Sequence, residues 1–388
     1  MIAGNRVAVF ATGSRRHGTR SVSSNEHRWR QNILFAAMIG IPLLFLTPKN
    51  TLALDGPAIV QSNCVSCHNI NGPAPTTFEG LLNRKAPDLF YAGSKFNRPW
   101  LVEWLQNPKQ IRPAGELYLN HIAVNDGEDS IAAASIKPCP VELNPGQAEV
   151  VAGYLMTLRD ETMETGVIDA GKKFSKAKAL RLFRKQLPCV GCHSVNWGKK
   201  TIGGISGPNL TEAGLRLNPD WVYARIKDPQ YWDPRTWMPK IDLSHKKLEL
   251  LTLFIGSMNS YRQDVAQASD SASPRMPTPL SKFVSPPNAT IETERNYRLY
   301  CVQCHGSQGN GLGVNNTAGA LSVSPRDYLL ASEMSKLKDD EIKSAITLGG
   351  DAVQKSGLMP GWGNTLGEKQ IDALVLYLRK LCQCEAGG

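Results

Sequence analysis

Cys64-Val-Ser-Cys67-His68, Cys189-Val-Gly-Cys192-His193 and Cys301-Val-Gln-Cys304-His305 are three copies of one CxxCH pattern, each more than 100 residues from the next. They use six of the nine cysteines; Cys139, Cys382 and Cys384 are left over. Each copy opens a stretch of similar plan. Helical periodicity runs across the motif, a proline-containing loop follows, then a central helix, then an apolar closing helix. The closing helices are expected at 146–158, 246–255 and 369–379, where apolar residues recur every three or four positions and define one buried face. The first two stretches align without gaps. Ala92-Gly93, Trp100, Pro108 and Pro113 match Ala213-Gly214, Trp221, Pro229 and Pro234 at a constant offset of 121 residues, which marks a duplication. The third has a different, glycine-rich loop with Gly306, Gly309, Gly311 and Gly313.

The pattern suits covalent haem attachment. Two thiols on one helical turn can each add to a haem vinyl group, and the next histidine then lies beneath the iron. The competing chemistries fit poorly. A redox dithiol wants a βαβ setting, and tetrahedral zinc wants four ligands together, whereas these pairs stand alone in their stretches. A disulfide leaves the recurring histidine without a role.

On these motifs the stretches resemble class I cytochrome c domains, and the whole resembles a triple-domain, trihaem, periplasmic or membrane-associated member of that family. The resemblance implies an all-α fold of three tandem helical domains, each around one covalent haem c, with first and last helices crossing beside it. It gives Cys64, Cys67, Cys189, Cys192, Cys301 and Cys304 as haem attachment sites and His68, His193 and His305 as proximal ligands. It also implies that a proline carbonyl after each motif accepts a hydrogen bond from the histidine; Pro87, Pro208 and Pro325 match that position. For the opposite face of the iron, Met238 and Met359 precede the second and third closing helices, as the family's methionine loop does. The rival Met258 and Met334 are read as packing residues. The first stretch has no methionine between His68 and its closing helix, and Met156 is read as core. His121, its one spare histidine, is the expected sixth ligand there, the alternative being an open iron. The stretch 125–144 is an insertion relative to the second copy.

The segment 1–54 reads as a signal peptide or N-terminal anchor. Arg28 and Arg30 precede an apolar run over 33–46, about 14 residues against the ~20 needed to span a bilayer, and Thr51-Leu52-Ala53 offers a cleavage site. Either reading places residues 55–388 in the periplasm or on the outer face of the cytoplasmic membrane, with membrane association if the anchor is kept. The expected domains are 55–160, 166–259 and 289–388, with a Ser/Pro/Ala-rich linker at 260–288 that joins the third more loosely. Export makes a bridge from Cys139 to Cys382 or Cys384 an expectation, against three unpaired thiols.

The formal net charge of +10 is largely the N-terminus. Beyond residue 54, 37 basic and 33 acidic residues remain, a net of +4, which three haems with about two propionates each would cancel. No basic run interleaves with aromatics, so nucleic acid is excluded as a partner. The function expected is electron transfer without catalysis, between a membrane respiratory complex such as a quinol oxidiser and a redox protein. The rival is a haem enzyme reducing peroxide or a nitrogen oxide at an open first haem.

Overall fold

The computed structural model describes residues 54–197, 200–259 and 275–386. The expected signal segment and much of the 260–288 linker lie outside the described residues. What is described is helix-rich. The closing helices form at Pro145–Leu155, His245–Gly256 and Glu368–Cys382, each within a few residues of the sequence expectation. The first is fixed by Asn144, whose side chain accepts from Gln147 N while Gln147 returns a bond, and Pro145 begins the helix.

Each closing helix packs on the helix that opens its own segment: Gly56–Asn63, Lys176–Arg181 and Ile291–Asn296. The first crossing is close enough to demand glycine, since a Cβ on Gly56 would lie 2.3 Å from Val150 O. In the third, Tyr297 stacks on Tyr377 with ring centroids 4.9 Å apart. In the second and third segments a π-helical turn, Leu182–Gln186 or Tyr297–Cys301, leads into the CxxCH.

The duplicated segments meet through their duplicated residues. Asn97 N donates to Arg216 O and Asn218 N donates to Lys95 O, both at 2.9 Å, around an antiparallel Phe96–Leu217 bridge. Every partner is 121 residues from its counterpart, so the seam is reciprocal, like an isologous dimer interface within one chain. The repeated Ala-Gly pair has a packing cause. Gly93 N bonds Leu158 O and Gly214 N bonds Met258 O, and a Cβ at either glycine would lie 2.2 or 2.0 Å from a carbonyl oxygen at the end of the closing helix.

Two features depart from the sequence expectation. The first is a pair of small antiparallel hairpins, Ile122–Asn125 with Glu128–Ile131 and Val195–Trp197 with Lys200–Ile202. Asp126 and Gly127 turn the first with φ of +49° and +81°, the left-handed geometry that Asp-Gly supplies to two-residue hairpins. The second is that the third segment is held firmly. The first hairpin, whose turn and second strand fall in the insertion, grips it: Asp129 N donates to Leu312 O, Thr317 Oγ1 to Asp129 O, and Asn310 Nδ2 to Gly127 O. Leu117, Tyr118, Leu119 and Ile122 share one core with Tyr297, Leu299 and Leu374. The end of the proline-rich stretch is a strap, with Thr278 N on Ile122 O and Val284 N on Ser307 O.

Candidate functional site

The CxxCH sequences form one helical turn each, closed by His68 N to Cys64 O and His193 N to Cys189 O at 2.9 Å, and by the helix Val302–His305. A single turn puts both thiols on one side with the histidine at its end. In all three, the histidine Nδ1 faces a backbone carbonyl: Pro87 O at 2.7 Å, Pro208 O at 2.9 Å and Arg326 O at 3.2 Å. A carbonyl only accepts, so Nδ1 carries the hydrogen and Nε2 keeps its lone pair, the tautomer an axial ligand needs. Pro87 and Pro208 are the acceptors expected from sequence; Pro325 is not. Gly311, at φ +81°, packs its Cα against Pro325 O, and the next carbonyl turns to His305.

Burial keeps these groups neutral. His193 and His305 are pulled down to about 4, and His68 is also lowered, desolvation being the first cause in each. Burial pushes the thiols up, Cys189 and Cys301 to about 12 and Cys192 to about 11. All six motif cysteines are free. Over His193 the chain leaves no room for a side chain, since a Cβ on Gly207 would come within 2.8 Å of the ring. At the third motif Tyr328 donates to His305 Nε2 at 3.0 Å, which shows a lone pair there and occupies the position a metal would take. Free paired thiols beside a neutral imidazole whose Nε2 lone pair faces away from the backbone carbonyl fit haem c at the motifs.

The second and third motifs lie back to back. Gln303 Oε1 accepts from Ser206 Oγ at 2.7 Å and faces Cys192 Sγ at 3.4 Å; Asn315 Nδ2 reaches Ser206 Oγ at 2.9 Å and Cys304 Sγ at 3.7 Å. This buried polar knot was not found from sequence. The first motif is different. Cys67 is exposed and Val65 is 38% exposed, so its thiol edge faces solvent.

Among the expected sixth ligands, Met359 is half-buried beside the third segment's core, and Met238 follows Trp237, which stacks edge-on to Tyr118. Met334 is fully buried and Met258 packs on the second segment's core, as expected of packing residues. Met156 is the C-cap of the first closing helix, not within it. His121 ends the turn Tyr118–His121 and is lowered by burial. Ser135 Oγ donates to Ala132 O, so its oxygen accepts from His121 Nδ1 at 2.7 Å, which again leaves Nε2 bare. The ring lies on Gly115, where φ is +77° and a Cβ would sit 2.4 Å from Nε2.

The expected Cys139 bridge is corrected. Cys382 pairs with Cys384, across Gln383 in the left-handed conformation, and Cys139 is free beside Cys64, whose thiol it helps to raise.

Residues 288–378 match the family model for cytochrome c oxidase, cbb3-type, subunit III. No curated protein and no solved structure matches the chain. The chain therefore contains a c-type cytochrome domain around Cys301, Cys304 and His305, the helical, haem-binding kind of module that transfers electrons.

Proposed function

We propose that the protein is a trihaem c-type cytochrome that passes single electrons outside the cytoplasm. The observation that carries this reading is the imidazole–carbonyl hydrogen bond repeated at His68, His193 and His305, beside two free thiols each time. Haems would be held by Cys64 and Cys67, Cys189 and Cys192, and Cys301 and Cys304, with Met238, Met359 and His121 as sixth ligands. Contacts join the first segment to the second across the seam, the second to the third through Gln303 and Ser206, and the first to the third through the hairpin, so the three segments are close enough for electrons to pass within one chain.

Thioether ligation favours ferrous iron, so haems held with Met238 and Met359 would lie above one held with His121 in potential. The exposed edge of the first motif, at Cys67, would offer a haem held there to a donor, and haems held at the second and third motifs would take its electrons onward. The matched model's name, a subunit of a respiratory oxidase, supports a respiratory setting and redox proteins as partners; in this reading the donor is a membrane quinol-oxidising complex. The test is carbon monoxide added to the reduced holoprotein. Six-coordinate haems give an unchanged visible spectrum. A bound, five-coordinate haem would replace the carrier with an enzyme acting on a small ligand at the first site.

A further inference from the structure

A carboxylate stands at the outer end of a column of aromatic rings. Trp232 stacks on Trp221 and on Tyr91, with centroids 5.7 and 5.5 Å apart, and Tyr231 meets Trp232 edge-on at 4.7 Å. Tyr91, Trp221 and Trp232 are buried and Tyr231 is 51% exposed, so the column runs from the interior to the surface. Asp160, just past the first closing helix, gathers the outer pair. Its Oδ2 accepts from Trp232 Nε1 at 2.9 Å, and its Oδ1 accepts from Thr162 N at 2.9 Å and Thr162 Oγ1 at 2.6 Å. Thr162 has thereby used its hydroxyl hydrogen, so its oxygen accepts from the Tyr231 hydroxyl. Phenol, threonine and carboxylate form a two-step proton path. A cavity of about 430 Å³ opens beside Tyr231 and Trp232, with Pro73 and Phe90 also in its wall.

The two ends of the column differ in how easily they lose an electron. An oxidised indole or phenol is a strong acid, so a base within hydrogen-bond reach eases its oxidation, while a cation over the ring opposes it. At the inner end Lys95 Nζ lies 5.5 Å from the Tyr91 centroid and 5.2 Å from that of Trp221. Trp221 Nε1 is buried and, among the described residues, has no acceptor. At the outer end both rings reach a carboxylate. Burial acts to raise Asp160, but the bonds from Thr162, Tyr231 and Trp232 outweigh it and hold the group below its usual value, so it is ionised at neutral pH. The column is graded toward the surface.

We infer that Trp232 and Tyr231, served by Thr162 and Asp160, form a radical relay that drains oxidising equivalents to the surface. The oxidant is a strong one-electron acceptor of the peroxyl-radical class, which takes one electron from the column and leaves as its peroxide anion. The electron vacancy settles on Trp232 as an indole radical cation held by Asp160. Tyr231 then gives Trp232 one electron. As it does, the phenol proton passes to Thr162 Oγ1 and the threonine hydroxyl proton passes to Asp160 Oδ1. Trp232 ends neutral with its N–H intact, Asp160 ends protonated, and Tyr231 is a neutral phenoxyl radical. A thiol or enediol reductant in the adjoining cavity returns the electron, its own proton goes to solvent, and the relay's protons run back. No haem takes part, so the relay stands apart from the trihaem reading.

The test is flash-quench oxidation of the fully oxidised native protein with photogenerated tris(bipyridine)ruthenium(III), read by transient absorption and freeze-quench EPR. The parent protein should give a neutral phenoxyl radical, and mass mapping of spin-trap adducts should place it on Tyr231. Tyr231→Phe should replace that signal with an indolyl radical on Trp232. Trp232→Phe should cut the phenoxyl yield several-fold. Asp160→Asn should slow phenoxyl formation about tenfold or more, the factor that one lost charge-assisted hydrogen bond represents. Thr162→Val cuts only the phenol's proton path at an exposed position, so it should leave the radical on Trp232 and serves if Asp160→Asn folds poorly. A phenoxyl signal of parent strength in Tyr231→Phe, or an unchanged yield in Trp232→Phe, would overturn the relay. So would parent-like rates in both Asp160→Asn and Thr162→Val, because Tyr231 would then be oxidised only as an exposed ring.

Discussion

Asp129 fastens the first segment's hairpin to the third segment. It is 1% exposed, and its carboxylate accepts from Ser307 N at 2.7 Å and Ser307 Oγ at 2.6 Å, the serine being fully buried. Asp129→Ala removes two charge-assisted bonds and strands a buried N–H, so the contact should lose about 3–5 kcal/mol. Asp129→Asn keeps an acceptor and should lose less. The pH dependence has a definite sign. Burial raises Asp129 from 3.8 to about 6, so between those values the folded chain holds a proton that the unfolded chain has released. The group's contribution to stability is therefore greatest below about pH 4 and falls as pH rises through 6, by about 3 kcal/mol at ~1.4 kcal/mol per unit. Hydrogen exchange across 306–317, corrected for intrinsic rates, reads this directly. Protection should collapse in Asp129→Ala, and the step between pH 4 and 6 should vanish in Asp129→Asn. Parent-like protection in the alanine variant, or the same pH step in the asparagine variant, would refute the reasoning.

Gly115→Ala would place a methyl 2.4 Å from His121 Nε2 at a position with φ +77°, costing about 1–2 kcal/mol in backbone strain and displacing the ring. If His121 ligates the first iron, one haem of three turns high-spin in the visible spectrum, and an unchanged spectrum removes His121 as ligand. Gly56→Ala forces a carbon to 2.3 Å from Val150 O and should cost about 1–3 kcal/mol, seen as a lower thermal midpoint with haem content intact. Met359→Ala should lower one potential and open one haem to carbon monoxide, with the other two unchanged.

The motifs and closing helices were legible because both are local. A helical turn sets the thiols and histidine, and apolar spacing sets the buried face over 369–379. The Pro87 and Pro208 acceptors followed from the resemblance to class I cytochromes c, whose proline position these residues match. The third carbonyl moved by one residue because Gly311, lacking a Cβ, nests on Pro325 O. The rest depended on pairs distant in sequence. Nothing in the string Gly93-Ser94-Lys95 announces Trp221, and Gln303 has no visible tie to Ser206 before the segments pack. The Asp126-Gly127 turn was a readable hairpin signal inside a stretch read only as an insertion. Cys382 and Cys384, two residues apart, pair because Gln383 adopts φ +49°.

The central claim is that all three motifs carry haem, and peptide mass mapping of the native protein with total haem per chain tests it most directly. The account predicts three haems per chain, with haem-bearing peptides containing Cys64 and Cys67, Cys189 and Cys192, and Cys301 and Cys304. One haem, found on the Cys301 and Cys304 peptide alone, would contradict it.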